Sequence, residues 1–251
     1  MTKSIIPSSH PRAQSLYTRE KLVHAFDEGL VAKEGLMAHG RGEAFDYLIG
    51  EKTSKSAKNA IKVAAFMLVS ARHPVISVNG NIAGLCPREI VDLAKTVNAK
   101  IEINLFYSGE KRKQNILKTL RKNGAKEILG VDKKNSTRIS GLDSARRIVD
   151  KNGIYIADVV LVPLEDGDRT LALKKAGKKV ITFDLNPLSR TAQTADVTIV
   201  DNVVRGIKEL ITVCKKTRGK NLSQIQFDNK KNLIKSIVEI RNYLTRRAKL
   251  A

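Results

Sequence analysis

The sequence predicts an α/β fold: a mostly parallel sheet flanked by helices, with further helical segments towards both ends of the chain. Three apolar runs in the second half, DVVLVPL (158–164), KKVITFDL (178–185) and DVTIV (196–200), alternate with helix-like stretches. Short β-branched runs suit strands buried on both faces, and their alternation with helices favours parallel strands joined by right-handed crossovers. The runs lead into polar endings, EDGDRT, NPLSRT and Asp201-Asn202. In a parallel sheet these endings share the carboxyl edge, where open α/β sheets bind ligands.

Taken in order, IIPSSHPR (5–12) carries two prolines and reads as an irregular lead-in, because proline disfavours helix at the residue before it. A helix is expected from Thr18, with Leu22, Val23, Phe26, Leu30 and Val31 at helical spacing. HGRGEAFDYLIGEKT (39–53) follows, with Gly35, Gly40, Gly42 and Gly50 read as breakpoints. A second helix is expected from about Ser54 to Arg72, stopped by Pro74. PVISV (74–78) reads as a buried strand that delivers Asn79, Gly80 and Asn81 to a loop, and Pro87 opens a helix to about Val97. A strand follows from Lys100 to Phe106, with Glu102 and Asn104 on one face, then a basic helix over 109–122 and a short strand in KEILG. Residues 132–140 read as a polar, mobile loop and 143–149 as a short helix. After the three strands, a helix over 202–217 is broken at Gly219. A last helix from about Asp228 to Ala248 sets Leu233, Ile234, Ile237, Val238 and Leu244 against Lys and Arg, a stripe suited to the core or to a second subunit. The expectation is one domain over 1–251: a helical N-terminal part (about 16–72), a sheet core (about 74–202) and basic C-terminal helices (about 203–251).

Composition narrows the class. Hydrophobic residues at 42% and charged residues at 28% exclude a disordered chain, and 4% aromatics without Trp predict an aliphatic core. Cys86 and Cys214 lack C-x-x-C or Cys/His spacing, so neither a disulfide framework nor a zinc site is expected. No run approaches the ~18 apolar residues of a membrane span, and the first residues lack the apolar centre of a secretory signal. A cytoplasmic protein is the expectation. The net charge of +21, with pI near 10.0, raises nucleic-acid binding, since neutralising phosphates releases counterions. From Val203 onward there are 13 Lys and Arg against 3 Asp and Glu. That holds about half of the excess, so nucleic acid is expected only as a side role of the basic tail.

The residues that carry chemistry cluster first in HGRGEAFDYLIGEKT, where His39, Arg41, Glu43 and Asp46 fall within eight positions. Glycines let the backbone approach a ligand, and arginine offers a planar fork to phosphate or carboxylate. Two readings stand: an anion-binding corner, or a helix–helix corner with solvated charges. Arg19, near a helix start, opposes the helix dipole and so faces either solvent or an anion. Asn79 and Asn81 offer amides to a substrate or form a plain turn. Asp166 and Asp168 offer oxygens to magnesium or make a tight turn. A G-x-G-x-x-G after an early strand and a Walker A motif are both missing, which disfavours the NAD(P)-dependent oxidoreductase alternative, and Ser189 lacks a nucleophile-elbow context. What remains is Arg41, Arg169 and Arg190 in loops, with Asp184, Asn186, Asp201 and Asn202 beside them. These suit an enzyme that stabilises charge on phosphate oxygens.

Taken together, SHPR, SLYTRE, AHGRGEAFDYLIGEKT, HPVISVNGN, IEINLFY, VLVPLEDGDRT, DLNPLSR and IVDN resemble the archaeal 4-phosphopantoate:β-alanine ligase family, also called phosphopantothenate synthetase. The match runs in one order from about Ile5 to Leu210. The resemblance implies a Rossmann-like fold, a homodimer and an ATP- and magnesium-dependent step of coenzyme A biosynthesis. In that step ATP, 4-phosphopantoate and β-alanine give 4'-phosphopantothenate, AMP and pyrophosphate through an acyl adenylate. By motif, the implied ATP contacts are Arg19, Arg41, Asp184, Leu185, Asn186, Arg190, Thr191, Asp201 and Asn202. Crevice placement, rather than the family, suggests Asn79, Asn81, Glu43 and Asp168 as substrate contacts, and His39, Arg41 and Asn79 as catalytic groups. The metal ligands stay open.

Overall fold

In a computed structural model of the chain, residues 6–218 and 226–250 are described. Six strands, β1 (Pro74–Val78), β2 (Lys100–Ile103), β3 (Ile128–Leu129), β6 (Val159–Leu161), β7 (Lys179–Phe183) and β8 (Val197–Ile199), form one sheet. Its order is β3-β2-β1-β6-β7-β8, and every pairing is parallel. The chain builds outward from β1 to β3, then returns to the other side of β1 and builds outward again. Between β1 and β6 the direction reverses, the loops above them diverge, and a crevice opens at the carboxyl edge. The Rossmann-like α/β class expected from the sequence is the one observed.

The helices are α1 (Ala13–Asp27), α2 (Lys33–Ile49), α3 (Lys55–Ser70), α4 (Gly80–Leu85), α5 (Pro87–Val97), α6 (Glu110–Lys122), α7 (Gly167–Lys175), α8 (Arg190–Thr194), α9 (Val203–Thr217) and α10 (Asn229–Ala248). Strand alternation sorts the core onto two faces. Ile76, Leu161 and Ile181 sit side by side in register with the apolar stripes of α3, α5 and α9, forming the larger core. Val75, Val160 and Val180 form the matching row on the other face, under Ala172 and Leu173 of α7. Each such side chain, fully buried, contributes about 1.5–3 kcal/mol. The core is aliphatic as expected; Phe183 is the one buried aromatic ring among the described residues.

Several boundaries and assignments differ from the sequence reading. α1 begins at Ala13 and ends at Asp27, so Leu30 and Val31 are buried from the turn that follows. Residues 132–140 are more ordered than a loop: a 3-10 turn (Lys133–Asn135) leads into β4 (Ser136–Arg138), which pairs antiparallel with β5 (Ile148–Asp150). The helix expected over 143–149 is only a 3-10 turn, Ala145–Arg147, because β5 claims the rest. NPLSRTAQ holds the short α8, capped by Ser189. α10 buries Asn232, Leu233 and Ser236, whereas Ile234, Ile237, Val238 and Leu244 are exposed, so of the predicted stripe only Leu233 faces the core. Polar bonds explain the difference: Asn232 meets Asn59, and Ser56 meets Ser236 and Glu239. The helix break at Gly219 lies outside the described residues.

The second face of the sheet is partly polar. Glu102 accepts the backbone N–H of Asp150 (3.1 Å) and of Ile154 (2.7 Å), and the Asn104 amide donates to the Arg146 and Ile148 carbonyls. These side chains brace the β4–β5 unit against β2 and do not open into the crevice. Arg169, read from the sequence as a loop anion ligand, is in the first turn of α7 and 0% exposed. It donates to Ser77 (3.1 Å) and pairs with Glu165, which also pairs with Arg146. Glu165 thus serves two buried guanidiniums. Glu165→Ala should cost about 3–5 kcal/mol, since it strands both charges; a urea midpoint near wild type would show that the pairs contribute little.

Candidate active site

The crevice above β1 and β6 is a cleft of about 240 Å³, lined at the ends of β1, β2, β6, β7 and β8 and roofed by α2. Gly35, Ala38, His39, Gly42 and Glu43 line it from α2, at the spacing of one helical face. HGRGEAFDYL is therefore helix and not a corner; among its glycines only Gly50 acts as a break, ending α2 in the left-handed region at φ +84°. Asn79, Asn81, Leu105, Phe106, Leu164, Leu185 and Asn202 complete much of the rest. The cleft also includes Arg112, from α6, and Arg146, from the turn before β5. Neither was singled out in the sequence, where Arg112 falls in the expected basic helix and Arg146 in the expected short helix over 143–149.

Asn79 occupies the reversal point of the sheet. Its Oδ1 caps α4 by accepting the Ile82 N–H (3.1 Å), and its Nδ2 donates to the carbonyls of Pro163 (3.2 Å) and Leu164 (3.1 Å) beyond β6. One side chain ties the ends of the two central strands together. Leu164 is held there at φ +55°, a left-handed conformation that costs a leucine about 1–2 kcal/mol. Asn81 donates to the Gly35 carbonyl (2.9 Å) and so joins the cleft floor to α2.

His39 is half-buried in the roof. Burial pulls its imidazole below the usual value, with Glu43 drawing it back, Arg19 pushing it lower and Asp46 raising it. Glu43 accepts from Tyr47 (2.7 Å) and from Arg19 (2.9 and 3.0 Å), and Arg12 reaches it at 3.5 Å. The anion that Arg19 meets here is thus a side chain of α2. Burial acts to raise the Glu43 carboxyl, but the Tyr47 and Arg19 bonds outweigh it and hold the group low. Arg41 leaves α2 on nearly the opposite side from Glu43, being two residues away. It is exposed, and its charge is felt by Asp184 beyond β7.

The DLNPLSRT loop is self-braced. Asp184 accepts from the Asn186 N–H (2.9 Å) and from the Ser189 hydroxyl, while Asn186 accepts from the Leu188 N–H (2.9 Å). Burial raises the Asp184 carboxyl, with these donors and Arg41 opposing it. Leu185 lines the cleft, Arg190 pairs with Asp168 at the exposed rim, and Thr191 is turned inward to donate to the Glu165 carbonyl (2.9 Å). Beyond β8, Asp201 is 1% exposed and binds Thr53 (2.7 Å) and Arg205. Arg205 also binds Asp46 (2.7 Å), which accepts from the Asn202 amide (2.9 Å). Burial works against the charge on Arg205, but Asp46 and Asp201 more than offset it. Asp46 is thereby a structural tie between α2 and the end of β8. His39, Glu43, Asn79, Asn81, Leu185 and Asn202 share the cleft; Arg41 and Asp184 lie next in sequence to its lining residues, whereas Thr191 and Asp201 are bonded within the protein.

A six-stranded parallel sheet with a cleft at its reversal point, lined by apolar and polar side chains together, defines an α/β protein of the Rossmann class. Residues 56–243 match the phosphopantothenate/pantothenate synthetase family, and the chain belongs to that family. It is 51% identical over 249 residues to the 4-phosphopantoate–beta-alanine ligase of Thermococcus kodakarensis, covering 97% of this chain and 95% of that protein. It is 47% identical over 244 residues to the protein of the same name from Methanosarcina mazei, covering 95% of each. No helix among the described residues is long and apolar enough to cross a membrane.

Asn79→Ala should lose the α4 cap and both strand-end bonds, lowering stability by about 1–2 kcal/mol. Asn79→Asp should keep the cap but not the donation to Pro163 and Leu164. If both variants melt and turn over like wild type, Asn79 does not organise the cleft.

Proposed function

We propose that the chain is an ATP-dependent ligase that joins 4-phosphopantoate to β-alanine, giving 4'-phosphopantothenate, AMP and pyrophosphate in coenzyme A biosynthesis. The observation that carries this reading is the similarity, over nearly the full chain, to proteins bearing the name of that reaction. The acid's carboxylate attacks the α-phosphate of ATP and pyrophosphate leaves. The β-alanine amine then attacks the acyl carbon of the adenylate and AMP leaves. No protein nucleophile is required, so the work of the chain is positioning and charge stabilisation.

In this reading the nucleotide lies over the ends of β7 and β8, against Leu185 and Asn202, with Arg41 and Arg190 facing its phosphates. A phosphate near Glu43 competes with that carboxylate for Arg19. Thr191 and Asp201 hold the backbone of the loops that bind the nucleotide. His39, kept neutral by burial, accepts the proton that β-alanine must lose. For magnesium, Asp184, Asp201 and Asp46 already spend their oxygens on protein donors, while Asp168, whose Oδ1 pairs with Arg190, keeps its other oxygen at the exposed rim. Asp168 fits an ion carried mainly by ATP phosphates, whose charge that ion would screen. The exposed apolar residues of α10 support a homodimer as the working assembly.

The deciding measurement is AMP release with each substrate omitted in turn; a flat signal with all three present would end the ligase reading. Arg41→Ala should lower turnover by roughly 10²-fold with the fold retained, and Arg41→Lys should recover little if the contact is bidentate. Wild-type rates in folded Arg41→Ala would remove it from the phosphate site. His39 gains its proton only as pH falls below the ordinary value of 6.5. Turnover should therefore decline on the acid side, and His39→Gln should flatten that limb; an unchanged limb would assign the base elsewhere.

A further inference from the structure

We propose that Asn229 is a positioning residue for the nucleotide: through it α10 grips α8 and β8 from behind and so sets the end of the cleft that takes ATP. This deepens the ligase reading and rests on it, since that reading puts ATP against Leu185, Asn202 and Arg190. Among the described residues, none of α10 lines the cleft. The grip acts through the wall.

Asn229 opens α10, next to the Asp228 cap. Its Nδ2 donates to the carbonyls of Ala192 (2.8 Å) and Ala195 (3.0 Å), and its Oδ1 accepts the Thr198 N–H (2.9 Å). Local structure leaves all three groups open. α8 has five residues, so its last carbonyls find no partner within it. β8 is an edge strand, where an outward N–H meets no neighbouring strand. The Thr198 hydroxyl completes the set by donating to the Ala192 carbonyl at 2.7 Å. One amide thus joins the end of α8 to the middle of β8.

Leu233 follows Asn229 by one turn on the same face of α10. It packs in a small core with Ala192, Val200, Ile49 and Leu185, and Leu185 is also a lining residue of the cleft. A shift at the start of α10 therefore reaches Leu185 directly and Arg190 through α8. Farther along, the helix makes a separate dock on the start of α3. There Asn232 donates to the Ser56 carbonyl (3.1 Å), and Glu239 accepts the Ser56 N–H (3.2 Å). α10 buries two polar side chains, Asn232 and Ser236, against one apolar, Leu233. Hydrogen bonds rather than buried area fix where it lies.

The test measures ATP and acid separately in Asn229→Ala, Asn229→Asp and Asn232→Ala, by calorimetric binding and by KM from AMP release. Asn229→Ala should weaken ATP roughly tenfold or more, with KM for 4-phosphopantoate and β-alanine held and kcat recovered at saturating ATP. Asn229→Asp keeps the acceptor for Thr198 but turns an oxygen towards two carbonyls, so it should lose as much. A wild-type KM for ATP in either Asn229 variant overturns the role. Asn232→Ala loosens only the α3 dock and should melt earlier with KM for ATP unchanged. An equal rise in Asn232→Ala, or equal losses for ATP and acid in Asn229→Ala, reduces the effect to general loosening and overturns the proposal. Hydrogen exchange on the wild-type chain needs no variant: ATP should slow exchange of the Thr198 amide and 4-phosphopantoate alone should not. Exchange indifferent to ATP would overturn the grip. Weaker ATP binding in Asn229→Ala, with no AMP released even by wild type, would sink the ligase reading and leave the grip standing.

Discussion

The cleft depends on the bond between Asp46 and Arg205. Asp46 belongs to α2, which supplies the roof, and Arg205 belongs to α9, which follows the last strand. Their contact at 2.7 Å, together with the bonds from Arg205 to Asp201 and from Asn202 to Asp46, sets where the roof lies over the sheet. Asp46 is 6% exposed and Asp201 1% exposed, and the one guanidinium of Arg205 serves both carboxylates. The residues from Gly35 to Glu43 that face the cleft inherit their positions from this tie.

The floor has its own organising bond. Parallel strands whose connections diverge leave a gap that backbone hydrogen bonds cannot close, and Asn79 closes it with an amide. The same side chain starts α4 and holds Leu164 in a conformation leucine avoids, so local strain is maintained by a long-range contact. The cleft lining is mostly apolar, with His39, Glu43, Asn79, Asn81 and Asn202 set into it, and the arginines that line it, Arg112 and Arg146, come from the β2 side.

The strands were legible because burial on both faces writes itself as short β-branched runs: PVISV is β1 residue for residue. The strand endings were legible as a ligand edge for the same topological reason. The roof was misread. Gly35 and Gly42 looked like breaks, but both sit inside α2; a neighbour presses close at Gly35, where a Cβ would lie 2.2 Å from Asn81, whereas one on Gly42 would meet Leu185 at an ordinary 3.5 Å. The helical spacing of Gly35, Ala38, His39, Gly42 and Glu43 was a usable signal that the glycine count obscured. Arg169 was misplaced because a buried, paired arginine has no local sequence mark; its partners, Ser77 and Glu165, are set by the fold. Arg146 was missed for the same reason, inside a stretch read only as a short helix. The resemblance supplied what periodicity could not, the identity of the substrates.

The tie between α2 and α9 joins residues 159 positions apart. Contacts of that separation form late, because the intervening chain must be ordered before their closure is repaid. The sheet can pair its strands before the roof is seated, but the roof cannot be seated before β8 and α9 exist. The capacity to bind substrate is therefore among the last properties this chain acquires as it folds, and an unfinished chain would hold most of its core and none of its enclosed cleft.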